Sequence, residues 1–520
     1  MTDILLAVGT RALPESASAE AGSDGVSTPA RSLRDTLRSK EARLVLALTL
    51  AGAALRFGTL NVQSVWGDEA ATIVLVRHHF GWMLSHFTED ENYPPLYFVL
   101  TWIWTRIFGL GPLGFRSLSA LAGTLTIPVM YMAGRRISPR AGMWAAALTV
   151  VSPAMYYYSQ EARCYALLML FVAASLVFWQ RALDEPTGKR LAWWAVLSCL
   201  ALLTHYFAAF ILVPEAIILA RRRGWRRVAP AVGVIALVGL ALVPLAANEA
   251  SHGDASWIEA TSLGSRLAES IKQFLVGLYG PIEIVTAALV GLLAAAAVVL
   301  LVRRGEDRER RPGRDMALMA VIVLAVPVIL AAAHVVDVFD GRNVIFAWIP
   351  LGLLIAFGLG ARRAPRAGTA IGVAICVISL VVVVATDLKP GYQRDDWRAI
   401  GRALASSRSG AVIVGETNAS LPLSIYLPAI QSVTGSHVTT SEVDFIGLRT
   451  RRTGRSPLPA VVDTQPPPGF RLAGVHQTET YTVSRFIARR PTAVSAAVLS
   501  RLHVPESEHP RAETAIIRRD

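Results

Sequence analysis

The run Leu44–Leu60, LVLALTLAGAALRFGTL, carries a single charge, Arg56, and leads into an acidic pair inside Gln63–Ala70, QSVWGDEA. At about 1.5 Å of rise per residue such a run is close to the roughly 30 Å of a bilayer's hydrocarbon core. Similar runs of about 17 to 22 residues recur along the chain, separated by short arginine-rich connectors, and read as a series of spanning helices. Composition agrees. The 520 residues have a mean hydropathy of +0.45 and only 17% are charged, against about a quarter in soluble domains.

The net charge of +13 does not point to nucleic acid, because the basic residues sit in connectors where the positive-inside rule puts them. Cys164, Cys199 and Cys376 all lie in apolar runs without CxxC spacing, so neither a disulfide framework nor a zinc site is indicated. Residues 1–40 read as a disordered cytoplasmic tail, rich in Ser, Ala, Gly and Pro near its start and lacking the pattern of a signal peptide.

The basic segment RSLRDTLRSKEAR precedes the first span and puts the N-terminus in the cytoplasm, with Asp68 and Glu69 outside. The connectors GRRISPRAG, RALDEPTGKR, RRRGWRR, RRGEDRERRPGRD and ARRAPRAG are then inside. An odd number of crossings must separate Asp68 from Arg135, so of two intervening apolar runs only residues 113–133 span. Pro95–Phe108 is too short and reads as interfacial. Its neighbour Ala71–Phe87 places Ile73, Val76, Phe80, Met83 or Leu84, and Phe87 on one face, the pattern of a helix lying in the membrane surface.

Further spans are expected at about residues 141–158, 164–182, 191–206, 207–220, 228–247, 282–302, 316–335, 343–361 and 368–387, about eleven crossings in all. The expected fold is an α-helical polytopic membrane protein in which residues 41–387 form the membrane domain. Residues 388–500 follow outside as a small α/β domain, with RDDWRAIGRALASS helical and AVIVGE and TYTVSRFIARR as strands. Residues 501–520 read as a disordered tail.

This topology gathers polar residues from separate loops on the outer rim: Asp68, Glu69, Glu89, Asp90, Glu91, the SQEARCY turn at Ser159–Tyr165, His205 and DVFDGRN at Asp337–Asn343. A carboxylate beside a hydroxyl acts as a general base, and arginines hold a phosphate leaving group through charge-assisted, often bidentate hydrogen bonds. Together they suit group transfer from a phosphate ester. The bland alternatives are an acid that caps a surface helix and arginines that snorkel to the interface.

SVWGDEA, NYPPLYF, GFRSLSALAGTLTIPVMYMAGRR, SPAMYYYSQEARCYAL, THYF and the Arg342 region, in this order, resemble successive motifs of the GT-C glycosyltransferases similar to family 39, the class of protein O-mannosyltransferases and the lipid A aminoarabinose transferase. The resemblance covers roughly residues 44–365, and RDDWR at its edge also occurs in bacterial members.

It implies a GT-C fold and a polyprenyl-phosphate-linked sugar as donor, a hexose such as mannose or alternatively a pentose or aminosugar. Transfer is to a hydroxyl of a glycan, lipid or protein on the outer face of the cell membrane, with inversion. Asp68 matches the general base; Glu69 orients it or caps the following helix. Arg163, Tyr165 and Arg342 match positions facing the donor phosphate, with Tyr93 and Arg56 grouped there. Glu89, Asp90, Glu91, Glu161 and His205 are candidate acceptor or sugar contacts.

Many relatives carry Lys or His where this chain has Tyr93, which brings a hydroxyl but no charge. No cofactor is implied. A divalent metal on Glu89 and Glu91, with His78, His79 or His86, is a weaker expectation, because adjacent histidines on a helix diverge by about 100°. A lipid-linked-sugar transporter is the alternative from another class, for which Glu215 inside an apolar run is the one suggestive residue.

Overall fold

A computed structural model describes residues 39–90, 93–251, 258, 261–416, 418–448, 465–503 and 514–519. Of the tail expected over residues 1–40, residues 1–38 lie outside what it describes, as do the Glu91 contact and the side chains of Glu89 and Asp90, while Ser39 and Lys40 open the first helix.

The first span is α1 (Lys40–Gly58), which starts behind Ser39, whose hydroxyl accepts the Ala42 N–H. The expected surface helix over Ala71–Phe87 is instead two helices, α2 (Gly67–Arg77) and α3 (Phe80–Asp90). His78 is extended, and the His79 Nδ1 accepts the Trp82 N–H and caps α3. Carbonyls at the end of α2 are satisfied from α4 (Leu96–Phe108): the His78 carbonyl receives the Trp102 indole at 2.9 Å and Arg106 Nη2 at 2.7 Å. Of the expected apolar face, Ile73, Val76, Met83 and Phe87 are buried, whereas Phe80 and Leu84 are exposed.

α5 (Pro112–Arg135) and α8 (Tyr165–Asp184) form the buried centre of the bundle. Between them the expected span at 141–158 is broken into α6 (Pro139–Val151) and α7 (Pro153–Ser159). Pro153 has no N–H to continue the helix, and the Ser152 hydroxyl accepts the Met155 N–H to start a new one. α9 (Gly188–Leu202) and α10 (Ala209–Arg223) meet at the THYF turn, where His205 Nδ1 accepts the Phe207 N–H.

The remaining helices of this region are α11 (Trp225–Ser251), α12 (Leu263–Val276), α13 (Glu283–Arg304), α14 (Asp307–Ala332), α15 (Trp348–Leu359) and α16 (Pro365–Leu388). Among the described residues six helices, α5, α8, α11, α13, α14 and α16, are long and apolar enough to cross a membrane. The other expected spans coincide with α1, α6 with α7, α9, α10 and α15, which are shorter or more charged. Peripheral α11 and α13 turn Leu237, Leu240 and Leu292 outward, as lipid-facing helices do. The chain is a multi-pass membrane protein.

α12 is an element the sequence reading missed. Its polar residues Arg266, Ser270 and Gln273 are buried, while Leu267 and Ile271 are exposed. Arg266 forks onto Asp337 at 2.7 and 2.5 Å and donates to the Phe339 carbonyl, so α12 braces the loop that carries Arg342.

Past α16 the chain forms α17 (Trp397–Leu404), β1 (Val412–Glu416), α18 (Ser420–Tyr426), β2 (Ile430–Ser432), β3 (His437–Leu448), β4 (Arg471–Gln477), β5 (Tyr481–Ser495), α19 (Ala496–Leu502) and β6 (Thr514–Arg519). The strands form one sheet in the order β2-β6-β1-β3-β5-β4, with β1 and β3 parallel and all other pairs antiparallel. Alternation along β1 sends Ile413 to a core with α17 and α18, and Val412 and Val414 to a second core with Leu499 of α19. The expectation of a disordered tail after residue 500 is corrected: α19 runs to Leu502, and β6 lies inside the sheet, paired on both sides.

This domain docks on the loop between α1 and α2. Ser64 Oγ donates to the Asp395 carbonyl at 2.7 Å and accepts the Trp397 N–H, and the Val65 N–H donates to the Tyr426 hydroxyl at 2.7 Å. Leu421, Ile425 and Tyr426 pack on Val65, Ala70, Ile73 and Phe115.

Candidate active site

Asp68 and Glu69 occupy the first turn of α2. Successive helical residues diverge by about 100°, so the two carboxylates face different ways and acquire different environments. The Asp68 side chain remains 31% exposed and accepts Arg342 Nη1 at 2.8 Å. Arg342 is held in place by Asp340, which lies 3.6 Å from its Nε and accepts its backbone N–H at 3.0 Å.

Glu69 is fully buried and points away from this rim, against the expectation that it orients Asp68. Arg116 grips it with Nε to Oε1 at 2.8 Å and Nη2 to Oε2 at 2.5 Å, and the Ala162 N–H donates to Oε1 at 2.9 Å. Burial alone would raise its pKa, but Arg116, Arg394 and the Ala162 N–H together outweigh burial and hold it below the usual carboxylate range. The same guanidinium donates to the carbonyls of Leu60, Gln63 and Ser64, so Arg116 ties the α1–α2 loop to the start of α2.

The turn between α7 and α8 supplies Glu161, Arg163 and Tyr165. Arg163 Nη1 donates to Thr72 Oγ1 at 3.1 Å and to the Asp68 carbonyl at 3.3 Å, and its guanidinium lies 5.0 Å over the Tyr93 ring. The Tyr93 and Tyr165 hydroxyls are 2.8 Å apart. Tyr93 is half-buried, and desolvation raises its pKa despite the opposing pull of Arg342 and Arg163.

The His205 ring stands 5.1 Å from that of Tyr93. Burial, with Arg163 and Arg342 nearby, pushes its pKa down to about 3, so it is a neutral imidazole. Because Nδ1 accepts the Phe207 N–H, the proton rests on Nε2, which is buried with no hydrogen-bond partner among the described residues. Asp68, Arg163, Arg342, Tyr93, Tyr165 and His205, drawn from five separate segments, are thereby linked around one rim.

Glu161 lies behind that rim, 2% exposed, with its Oε2 3.9 Å from Arg394 Nη2. Burial raises its pKa to about 7; Glu69 and Asp68 push the same way, and Arg394 and Arg163 oppose. It is a second-row carboxyl, not a surface contact.

Arg56 does not belong to the site. Its guanidinium is buried, donating to Ser159 Oγ at 3.1 Å and to the carbonyls of Gly52, Val150 and Thr149 at 3.2, 3.3 and 2.9 Å. Thr149 and Val150 lie in the last turn of α6, where carbonyls have no helical partner; Arg56 fills that need.

His86 stacks on Trp82 at 4.1 Å between centroids, and the His78 ring lies tilted against Trp82 at 3.9 Å. Among the described residues no three His, Cys, Asp or Glu side chains converge as metal ligands would. Glu215, the residue that favoured a transporter, is buried and accepts the Trp194 indole at 2.8 Å.

Two residues were missed. Arg116 stands in the quoted GFRSLS motif as a lone charge near the start of a span, a position that is functional by default. Arg394 opens the RDDWR segment, and its reach back into the membrane domain had no sequence signal.

Residues 92–248 match the family model of dolichyl-phosphate-mannose-protein mannosyltransferases. No curated protein matches the chain significantly. The apo structure of ArnT from Cupriavidus metallidurans superimposes with a TM-score of 0.52 at 13% identity, over 86% of this chain and 98% of that one. The structure of ArnT bound to undecaprenyl phosphate gives 0.45 at 18% identity over 73% and 74%. An Archaeoglobus fulgidus oligosaccharyltransferase, in complex with Zn and sulfate, gives 0.42 at 14% identity over 70% and 56%. The chain thus shares the fold of apo ArnT, and within that fold residues 92–248 carry the sequence pattern of the mannosyltransferase family.

Proposed function

We propose that the chain transfers a sugar from a polyprenyl-phosphate carrier to an acceptor hydroxyl on the extracytoplasmic side of the cell membrane, with inversion, Asp68 acting as general base. The observation that carries this reading is the Asp68–Arg342 pair on a rim shared with Arg163, Tyr93, Tyr165 and His205. Asp68 takes the acceptor's proton as the acceptor oxygen attacks the anomeric carbon. The bond from that carbon to the phosphate oxygen breaks, and its electron pair leaves with the phosphate.

Arg342 and Arg163 stabilise the growing negative charge, and the Tyr93 hydroxyl and the His205 Nε2–H add neutral donors. Mannose is the preferred sugar, because residues 92–248 match a family described by its dolichyl-phosphate-mannose donor. The outward placement of the rim follows from the arginine-rich connectors, which belong on the cytoplasmic side.

Asp68→Asn tests the reading in membranes supplied with labelled polyprenyl-phosphate mannose on the outer leaflet. Loss of a general base should reduce transfer by about 10²–10⁴-fold with the amount of folded protein unchanged. Unchanged transfer refutes the base. A panel of donors with product masses decides the sugar, and transfer confined to pentose or aminosugar donors would overturn the choice of mannose.

A further inference from the structure

Arg394 belongs by sequence to the root of the C-terminal domain, between the last membrane helix and α17, yet its side chain is 3% exposed and lies inside the membrane domain's rim. Nη1 is 3.4 Å from Glu69 Oε2, and Nη2 is 3.9 Å from Glu161 Oε2. Nε donates to the Tyr157 hydroxyl at 3.1 Å, and the guanidinium lies 4.4 Å over the Tyr157 ring and 5.6 Å from that of Trp66, the residue before α2. Its own backbone N–H donates to Gln63 Oε1.

The charges explain why this position needs an arginine. Two buried carboxylates, Glu69 and Glu161, stand behind Asp68. Arg116 bonds Glu69 and three backbone carbonyls, whereas Arg394 faces both acids. Its planar fork and stacking surface suit a cation wedged between two carboxylates and two aromatic rings; an ammonium group would keep the charge and lose the fork. Trp66, two residues before Asp68, through its ring and Glu69, the residue after it, through its carboxylate thus touch a residue that arrives with the C-terminal domain.

We propose that Arg394 is a positioning residue for transfer: inserted from the docked C-terminal domain between Glu69 and Glu161, it fixes the first turn of α2 and with it the direction of Asp68. This rests on the reaction proposed above. It makes the C-terminal domain a working part of the active site, because undocking withdraws the cation that both buried acids share.

The test uses the full-length protein with Arg394→Gln, Arg394→Lys and, as a control, Arg398→Ala, which removes hydrogen bonds to Asn61 and the Gln63 carbonyl at the same interface but none to Glu69 or Glu161. The first readout, hydrogen exchange of the peptide covering residues 64–77, needs no substrate. Arg394→Gln should speed that exchange at least about tenfold and Arg398→Ala by less than about twofold. The second is transfer kinetics. Arg394→Gln should lower kcat by about 10- to 100-fold, the scale of a small misplacement of a reacting group, while the donor KM stays within about twofold.

Arg394→Lys should recover part of both losses. Unchanged exchange in Arg394→Gln, equal losses in Arg394→Gln and Arg398→Ala, or a loss confined to donor KM would each overturn the proposal. A wild-type protein that transfers no sugar from any donor sinks the proposed reaction instead, and the exchange readout then still decides whether Arg394 holds α2.

Discussion

Replacing Arg116 by methionine keeps much of the side chain's length but removes five hydrogen bonds made by one buried guanidinium. Both partners of the Arg116–Glu69 pair are essentially inaccessible to water, so solvent screening does not soften the loss. Removing one partner of such a pair costs about 3–5 kcal/mol. Arg394 stays 3.4 Å from Glu69 Oε2 and places this case near the low end.

The carbonyls of Leu60, Gln63 and Ser64 lose a donor at about 1 kcal/mol each, for about 6 kcal/mol in all. At roughly 2 °C per kcal/mol, the figure for larger domains, the midpoint of thermal unfolding in detergent should drop by about 12 °C. Glu69→Gln in the same chain removes the stranded charge, so the double variant should be more stable than the two single losses predict, by about 1–3 kcal/mol. Size-exclusion of heated samples reads all four proteins on one scale. An Arg116→Met variant within 1 kcal/mol of wild type, or a strictly additive cycle, would refute the account of Arg116 as the residue that holds Glu69 and the loop before α2.

The two perturbed groups beside the site should produce opposing pH slopes in stability. Glu161 has a folded pKa of about 7 against an ordinary 4.5, so across that window the unfolded chain releases a proton that the folded one keeps, and stability falls as pH rises. His205, lowered from 6.5 to about 3, does the reverse: the unfolded chain binds the proton, and stability is lost as pH falls from 6.5 towards 3. Where the windows overlap the slopes offset; Glu161→Gln should leave a net gain of stability with rising pH and His205→Gln a net loss, and parallel profiles for both variants would contradict the burial assigned to these groups. Ending the chain after His503 removes β6 and leaves β1 with an unpaired edge and β2 without a neighbour. Limited proteolysis should then cut within residues 412–448, which resist in the full chain; equal resistance would refute a structural role for β6.

The membrane domain was legible because a spanning helix is specified by its own residues: an apolar run of the right length with arginines at its end needs no distant partner. What was misread depends on partners far away in sequence. The break between α2 and α3 is supported by Trp102 and Arg106 from α4, and nothing within residues 71–87 announces it. α12 has its polar residues buried and Leu267 and Ile271 exposed, so the usual rule of apolar-inside selects the wrong face. β6 is six residues, TAIIRR, in a stretch whose Glu, Arg and Pro content resembles a tail, and only pairing with β1 and β2 makes it a strand. Arg56 misled in the opposite way: an arginine near a helix end suggests a ligand contact, but the carbonyls of α6 take up its donors. Asp68, Arg163, Tyr165 and Arg342 were legible as types in a pattern. Tyr93 was legible as well, as a hydroxyl without charge, whereas that His205 joins them as a neutral group follows only from its burial.

The adjacency of Asp68 and Glu69 now has a physical reason. A helix that starts at the rim of a bundle turns one of two successive residues inward and the other outward, so an acidic pair there makes one carboxylate an anchor and leaves the other to react. Glu69 is matched by Arg116 and Arg394 on the inner side, so its charge is largely compensated. The nearest cation that Asp68 meets is therefore Arg342, at 2.8 Å. Under the proposed reaction this pairing has a consequence. A phosphate with two oxygens free competes for the same guanidinium, and as Arg342 turns to it the Asp68 carboxylate is freed to accept the acceptor's hydroxyl. Arrival of the donor and readiness of the base are then one event, set by a single arginine. Glu69, firmly held behind, keeps α2 still while the exchange takes place.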